Sequence, residues 1–98
     1  MRQHVIVAYD IADPGRLRKV ARTVEDFGDR VQLSVFACQL TARDLSVLRQ
    51  RLLSIIEAAE DQVVIFPLGP VHDGKSDAPG LEYLGRKVTL RDVRCLIF

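Results

Sequence analysis

Residues 5–27 read VIVAYDIADPGRLRKVARTVEDF, and this stretch decides the fold class. Val5, Ile6, Val7, Ala8 and Tyr9 are apolar on both parities and mostly β-branched or aromatic. That is the composition of a strand lying centrally in a sheet or covered on both faces. The run ends at Asp10. Asp13 then offers an N-cap and Pro14 suits the first helical position. Leu17, Val20, Ala21, Val24 and Phe27 recur at three- and four-residue spacing until Gly28, which is expected to stop the helix. The outer face of this helix carries Arg16, Arg18, Lys19 and Arg22 early and Glu25 and Asp26 late, an order that opposes the helix dipole.

Outward from this unit, residues 30–40 (RVQLSVFACQL) have strand composition, with Val31, Leu33, Val35 and Ala37 on one parity and Gln32, Ser34, Phe36 and Cys38 on the other. No turn signal interrupts them, so they read as one long strand or as a bent pair. Thr41 caps a second helix with Asp44 at the reciprocal capping position, and Leu45, Leu48, Leu52, Ile55, Ile56 and Ala59 form its apolar stripe. Glu60 and Asp61 mark its expected end. VVIFPL, residues 63–68, is a further buried strand, with Pro67 tolerable at an edge or strand end. Strand, helix, strand material, helix, strand is satisfied by two helices on one face of a small, mostly antiparallel sheet. This is an α+β sandwich of the split βαβ or ferredoxin-like kind, its first crossover joining the first strand to its neighbour.

The expected organisation is a single domain over 1–98: a core of about 1–69, a Gly-, Pro- and Asp-rich loop at 70–80, and a C-terminal strand segment at 81–98. That last segment ends CLIF, which predicts pairing with its own sheet or with another subunit. A chain of 98 residues leaves room for one modest core. Hydrophobic residues at 48% and charged residues at 28% exclude a disordered composition. Fourteen Lys and Arg against thirteen Asp and Glu give a net charge of +1. The chain therefore lacks the field of a polybasic protein, and nucleic-acid binding must come from local patches. Cys38 and Cys95 match neither a zinc site nor a disulfide framework. The N-terminus turns acidic within ten residues and no apolar run approaches a membrane span, so the expectation is a cytoplasmic protein.

Asp10 is the first candidate for chemistry, at the carboxyl end of the first strand and on the parity of Ile6 and Ala8. Capping the helix is the competing role, for Asp10 or Asp13. One carboxylate does not complete a Mg2+ site, which usually takes one or two carboxylates with waters and substrate phosphate; a two-fold dimer would supply a pair. Arg16, Arg18, Lys19 and Arg22 form the second candidate, a cationic helix start suited to phosphate, or else an ordinary solvated face. Ser34 has no neighbouring base, since His4 and His72 fit no triad-like motif. The residues alone place Phe36 in core packing. No P-loop, dinucleotide fingerprint or zincin motif is present.

YDI at Tyr9–Ile11, RLRKVA at Arg16–Ala21, GDRVQLSVFACQLT at Gly28–Thr41, VVIFPLG at Val63–Gly69 and LEYLG at Leu81–Gly85 together resemble the second CRISPR-associated protein family, the small partner in spacer acquisition. The resemblance implies a ferredoxin-like fold in which residues 30–40 bend into two short strands. It also implies a homodimer whose C-terminal strands cross to the partner's sheet. Asp10 would bind Mg2+ or another divalent cation at the dimer interface and serve as the catalytic carboxylate in cleavage of RNA or DNA. Arg16, Arg18, Lys19, Arg30 and Phe36 fall where the family places nucleic-acid or catalytic contacts. The same resemblance carries a non-catalytic alternative, an adaptor that joins integrase subunits and grips duplex DNA. A toxin-like ribonuclease with this fold is a third reading.

Overall fold

A computed structural model describes residues 1–72 and 80–86. The order is β1 (Gln3–Asp10), α1 (Pro14–Glu25), β2 (Gly28–Gln32), β3 (Val35–Leu40), α2 (Ala42–Leu53) and β4 (Gln62–Pro70). The strands form one sheet in the order β2-β3-β1-β4 with antiparallel neighbours throughout. This is the expected α+β, ferredoxin-like βαββαβ arrangement. The strand delivered by α1 is not the neighbour of β1, however, because β3 lies between β1 and β2.

Alternation along β1 creates two different faces. Val5, Val7 and Tyr9 pack with Phe36, Cys38 and Leu40 of β3, with Val20, Ala21 and Val24 of α1, and with Leu48 and Leu52 of α2 in one core. Both helices therefore cover the same face. The opposite face presents Ile6 and Ala8, flanked by Ala37 and Val35 of β3 and by Phe66 and Val64 of β4. Phe66 is 49% exposed there. Burial in the core lifts the Cys38 thiol to about 11, so it is a packing residue and not a reactive one. No helix among the described residues is long and apolar enough to cross a membrane.

Both helix starts follow from local chemistry. Asp13 accepts from Arg16 N with Pro14 opening α1, and Thr41 and Asp44 form a reciprocal capping box at α2. The helix ends differ from the sequence expectation. α1 stops at Glu25 with Asp26 as its cap, and Gly28 belongs to β2. A Cβ on Gly28 would lie 2.4 Å from Cys38 Sγ and 2.5 Å from the Ala37 carbonyl oxygen. The glycine serves strand pairing, not helix termination. α2 stops at Leu53, where the Ser54 hydroxyl donates to the Arg51 carbonyl at 2.7 Å. Ile55 and Ile56 still pack on the core, but from a turn that leaves Ala59 exposed.

The run at 30–40 is a hairpin joined by Leu33 and Ser34. Its turn lacks glycine, and no non-glycine among the described residues has positive φ, so it is not one of the primed turns favoured in tight hairpins. A register shift between Arg30 and Gln32 absorbs the mismatch with strand twist. At the other side of the sheet β4 is the edge, which accommodates Pro67 opposite Val5, beside an irregularity between His4 and Val5. Val71 N donates to the Arg2 carbonyl at 3.0 Å, so the ordered sheet continues slightly past the expected boundary at 69. Residues 81–86 carry no regular secondary structure. The remainder of the expected C-terminal strand, including CLIF, lies outside the described residues.

Gly28→Ala is expected to destabilise the fold by about 1–3 kcal/mol, because the clash involves backbone that cannot rotate away. Urea denaturation checks this, and a change below about 0.5 kcal/mol would show that β2 and β3 can part freely.

Candidate catalytic and nucleic-acid-binding site

Asp10 ends β1 on the open face, opposite Gln62 of β4. It is exposed, and its carboxylate makes no hydrogen bond or ion pair among the described residues. The capping role belongs to Asp13, whose side chain accepts from Arg16 N at 2.9 Å, so Asp10 is left free for other chemistry. No group of three His, Cys, Asp or Glu able to hold a metal occurs among the described residues. One chain thus offers a single hard oxygen ligand at this point, half of the pair that a carboxylate-bound Mg2+ commonly uses. Gln3 pairs with Pro70 at the opposite end of β1 from Asp10. His4 and His72 sit at that far end too, which leaves Asp10 without a histidine base.

The backbone around Asp10 is held from both sides. Before it, Tyr9 N donates to the Ser34 carbonyl at 3.0 Å and Tyr9 OH donates to the Leu33 carbonyl at 3.2 Å. Burial raises the Tyr9 phenol above its ordinary value, with the Arg30 charge opposing that rise. Arg30 donates to the same Leu33 carbonyl, pairs with Glu25 at 3.3 Å, and stacks over the Phe36 ring with 4.7 Å to the centroid. Tyr9 meets Phe36 from another side at 6.1 Å between ring centroids. Phe36 is 0% exposed and the Arg30 side chain 8%. The structure places these two residues, expected at nucleic acid, against the β2–β3 turn, where they support it. Ser34 contributes its backbone carbonyl to that support.

Beyond Asp10 the restraint comes from a residue that the sequence marks only as a helix end. Asp61 has a fully buried carboxylate that accepts from Ala12 N at 2.9 Å, Glu57 N at 2.8 Å, Arg16 Nε at 2.8 Å and Arg16 Nη2 at 3.2 Å. Arg16 also approaches Glu60 at 3.6 Å. The Arg16 guanidinium holds the Asp61 carboxyl well below the usual carboxylate range, and in return Asp61 raises the Arg16 value. Arg16 is therefore engaged in an internal fork. Arg18 and Lys19 remain exposed on α1 and form the cationic surface of its first half. The one available signal for Asp61 is the absence of any acid in the first turn of α1. A carboxylate is stabilising near a helix N-terminus, and Asp61 supplies one from 45 residues away along the chain.

The pH dependence of Asp61 has a defined sign. Its folded-state value lies below the ordinary 3.8, so on acidification the unfolded chain takes up the proton first. Its stabilisation is complete above about pH 4 and is lost as pH falls through the depressed folded value. In urea denaturation the stability gap between wild type and Asp61→Asn is expected to hold steady between about pH 7 and 5, then narrow below about pH 4. A gap that stays constant into strong acid would rule out this carboxylate as the titrating contributor.

Comparison with known proteins places this geometry. The family model described as CRISPR associated protein Cas2 matches residues 2–75. The CRISPR-associated endoribonuclease Cas2 1 of Rhodospirillum rubrum is 44% identical over 68 residues, 69% of this chain and 67% of that protein. The CRISPR-associated endonuclease Cas2 2 of Thermus thermophilus is 44% identical over 62 residues, covering 63% and 69%. The crystal structure of a hypothetical protein, TT1823, from Thermus thermophilus superposes with a TM-score of 0.76 at 35% identity, covering 91% of this chain and 98% of that one.

Proposed function

The chain belongs to the CRISPR-associated protein Cas2 family, and on that premise we propose that it acts in spacer acquisition as a homodimeric, divalent-metal-dependent endonuclease on RNA or DNA. The observation that carries this reading is Asp10: an exposed carboxylate with no hydrogen-bond or ion-pair partner among the described residues, at the end of the central strand, on an apolar sheet face that no described element covers. The names of the relatives support it, one being called an endoribonuclease and another an endonuclease.

A second copy is the natural cover for the open face. Ile6, Ala8, Val35, Ala37, Val64 and Phe66 give it an apolar surface whose burial favours association. Asp10 lies on that same face, so a two-fold packing of the sheets adds a second carboxylate to the first. Asp10 would hold a Mg2+ or similar ion, which when bound would supply Lewis acidity and a water of lowered pKa. Asp10 binds and orients; Tyr9, Arg30 and Asp61 hold the backbone that presents it. Arg18 and Lys19 bind the phosphates of the nucleic acid. Arg16, Arg30 and Phe36, already engaged internally, keep these groups in place.

A second reading has its own observation. With no three-ligand cluster among the described residues, the dimer also suits a non-catalytic role as adaptor for the CRISPR integrase subunit in the cytoplasm. There it would grip duplex DNA through Arg18 and Lys19.

Asp10→Ala separates the two. The nuclease reading expects loss of Mg2+-dependent cleavage with the dimer intact by sedimentation; cleavage that persists in the variant would sink it. The adaptor reading expects spacer acquisition by the same variant to continue at the wild-type level. Arg18→Ala combined with Lys19→Ala is expected to weaken DNA binding and to flatten the log–log salt dependence by about 0.9 for each phosphate that the variant no longer neutralises. An unchanged slope would remove these residues from the interface.

A further inference from the structure

We infer that Asp61 is a positioning residue for Asp10: its buried carboxylate fixes the backbone that leaves the strand end and thereby sets how tightly Asp10 holds a divalent cation. The inference rests on the reading of Asp10 as the metal-holding group and adds a residue that touches neither metal nor substrate.

The geometry points to Asp61 through three connections. First, Asp10 pairs with Gln62 across the β1–β4 ladder, so Asp61 occupies the chain position beside the partner of Asp10. Second, Asp61 accepts from Ala12 N at 2.9 Å, two residues beyond Asp10, while Tyr9 N is held by the Ser34 carbonyl at 3.0 Å immediately before it. The backbone of Asp10 is thus restrained on both flanks although its side chain has no partner among the described residues. Third, the carboxylate is fixed in its own place by Glu57 N at 2.8 Å and by the two-nitrogen grip of Arg16.

A buried carboxylate is tolerated only when donors surround it, and here the donors come from the β1–α1 loop, the first turn of α1 and the turn before β4. Replacing one of its two oxygens with a donor leaves the Ala12 or the Glu57 amide without its acceptor and loosens the Arg16 grip, which lets the strand end move. A ligand borne on a mobile backbone loses orientation on each binding event, and supporting partners of metal ligands typically contribute about 10–100-fold to affinity.

The test uses the full-length dimer without nucleic acid and Mn2+ as the probe, read by electron paramagnetic resonance, with hydrogen exchange at the Ala12 amide measured alongside. Asp61→Asn keeps the side-chain volume and one acceptor oxygen but loses the charge. It is expected to weaken Mn2+ binding about tenfold or more and to accelerate Ala12 exchange while remaining folded by circular dichroism. Should it fail to fold, Arg16→Lys keeps a cation but loses the fork and is expected to weaken Mn2+ in the same direction by several-fold. If the folded variant binds Mn2+ within twofold of wild type while Asp10→Ala loses binding, Asp61 is structural only and the inference is overturned. If Asp10→Ala itself binds Mn2+ like wild type, the reading of Asp10 fails and the inference falls with it.

Discussion

The two-sided environment of β1 is the constraint on which the structure depends. Both of its edges are paired, with β3 and with β4, so its backbone has no freedom to slip without breaking two ladders at once. A one-residue shift would send Val5, Val7 and Tyr9 to the open face and bring Ile6, Ala8 and Asp10 under the helices. The buried core thereby fixes the parity of Asp10. The carboxylate is exposed because it alternates with side chains that the helices must cover, and the same alternation surrounds it with an apolar surface suited to a second sheet.

The interactions that hold the site are nearly all distant in sequence, which decides how much of it is legible in the residues alone. Helix starts are legible because a cap is local: Asp13 reaches Arg16 N and Thr41 exchanges bonds with Asp44, each three residues on. The bend at Leu33–Ser34 is not legible from the residues, since its carbonyls are held by Tyr9 and Arg30, and the Tyr9 side-chain bond spans 24 residues. Only the family resemblance indicates two strands there. The end of α2 falls short of its expected position because Ile55 and Ile56 continue an apolar stripe that the core does accept, although from a turn. The position of Asp10 follows from strand parity, whereas the engagement of Arg16 and Arg30 depends on Asp61 and Glu25, whose proximity only the tertiary fold creates.

This division of the arginines also reconciles a net charge of +1 with a locally cationic surface. Arg16, Arg30 and Arg51 pair with Asp61, Glu25 and Asp26. Each of these ion pairs offsets one positive charge with one negative charge close by. Arg18 and Lys19 remain on the solvent side of α1. Near-neutral composition is therefore compatible with local cationic character, because several arginines are paired with carboxylates while Arg18 and Lys19 stand on an exposed face.

The same sorting bears on why so short a chain can carry a site at all. Most of its polar machinery near Asp10 has a structural partner: Tyr9, Arg30, Asp61 and Arg16 each make a hydrogen bond or ion pair inside the molecule. What remains among the described residues is a single exposed carboxylate and an apolar sheet face that no described element covers. Those two features are complementary under two-fold symmetry, since covering the face also duplicates the carboxylate. On the proposed reading, a cation held by the Asp10 carboxylates of two copies would link metal and association free energies, each strengthening the other. On that reading, a core too small to build a metal site within one chain would build one between two, and the rigidity of the strand end in each copy would determine how well the halves match.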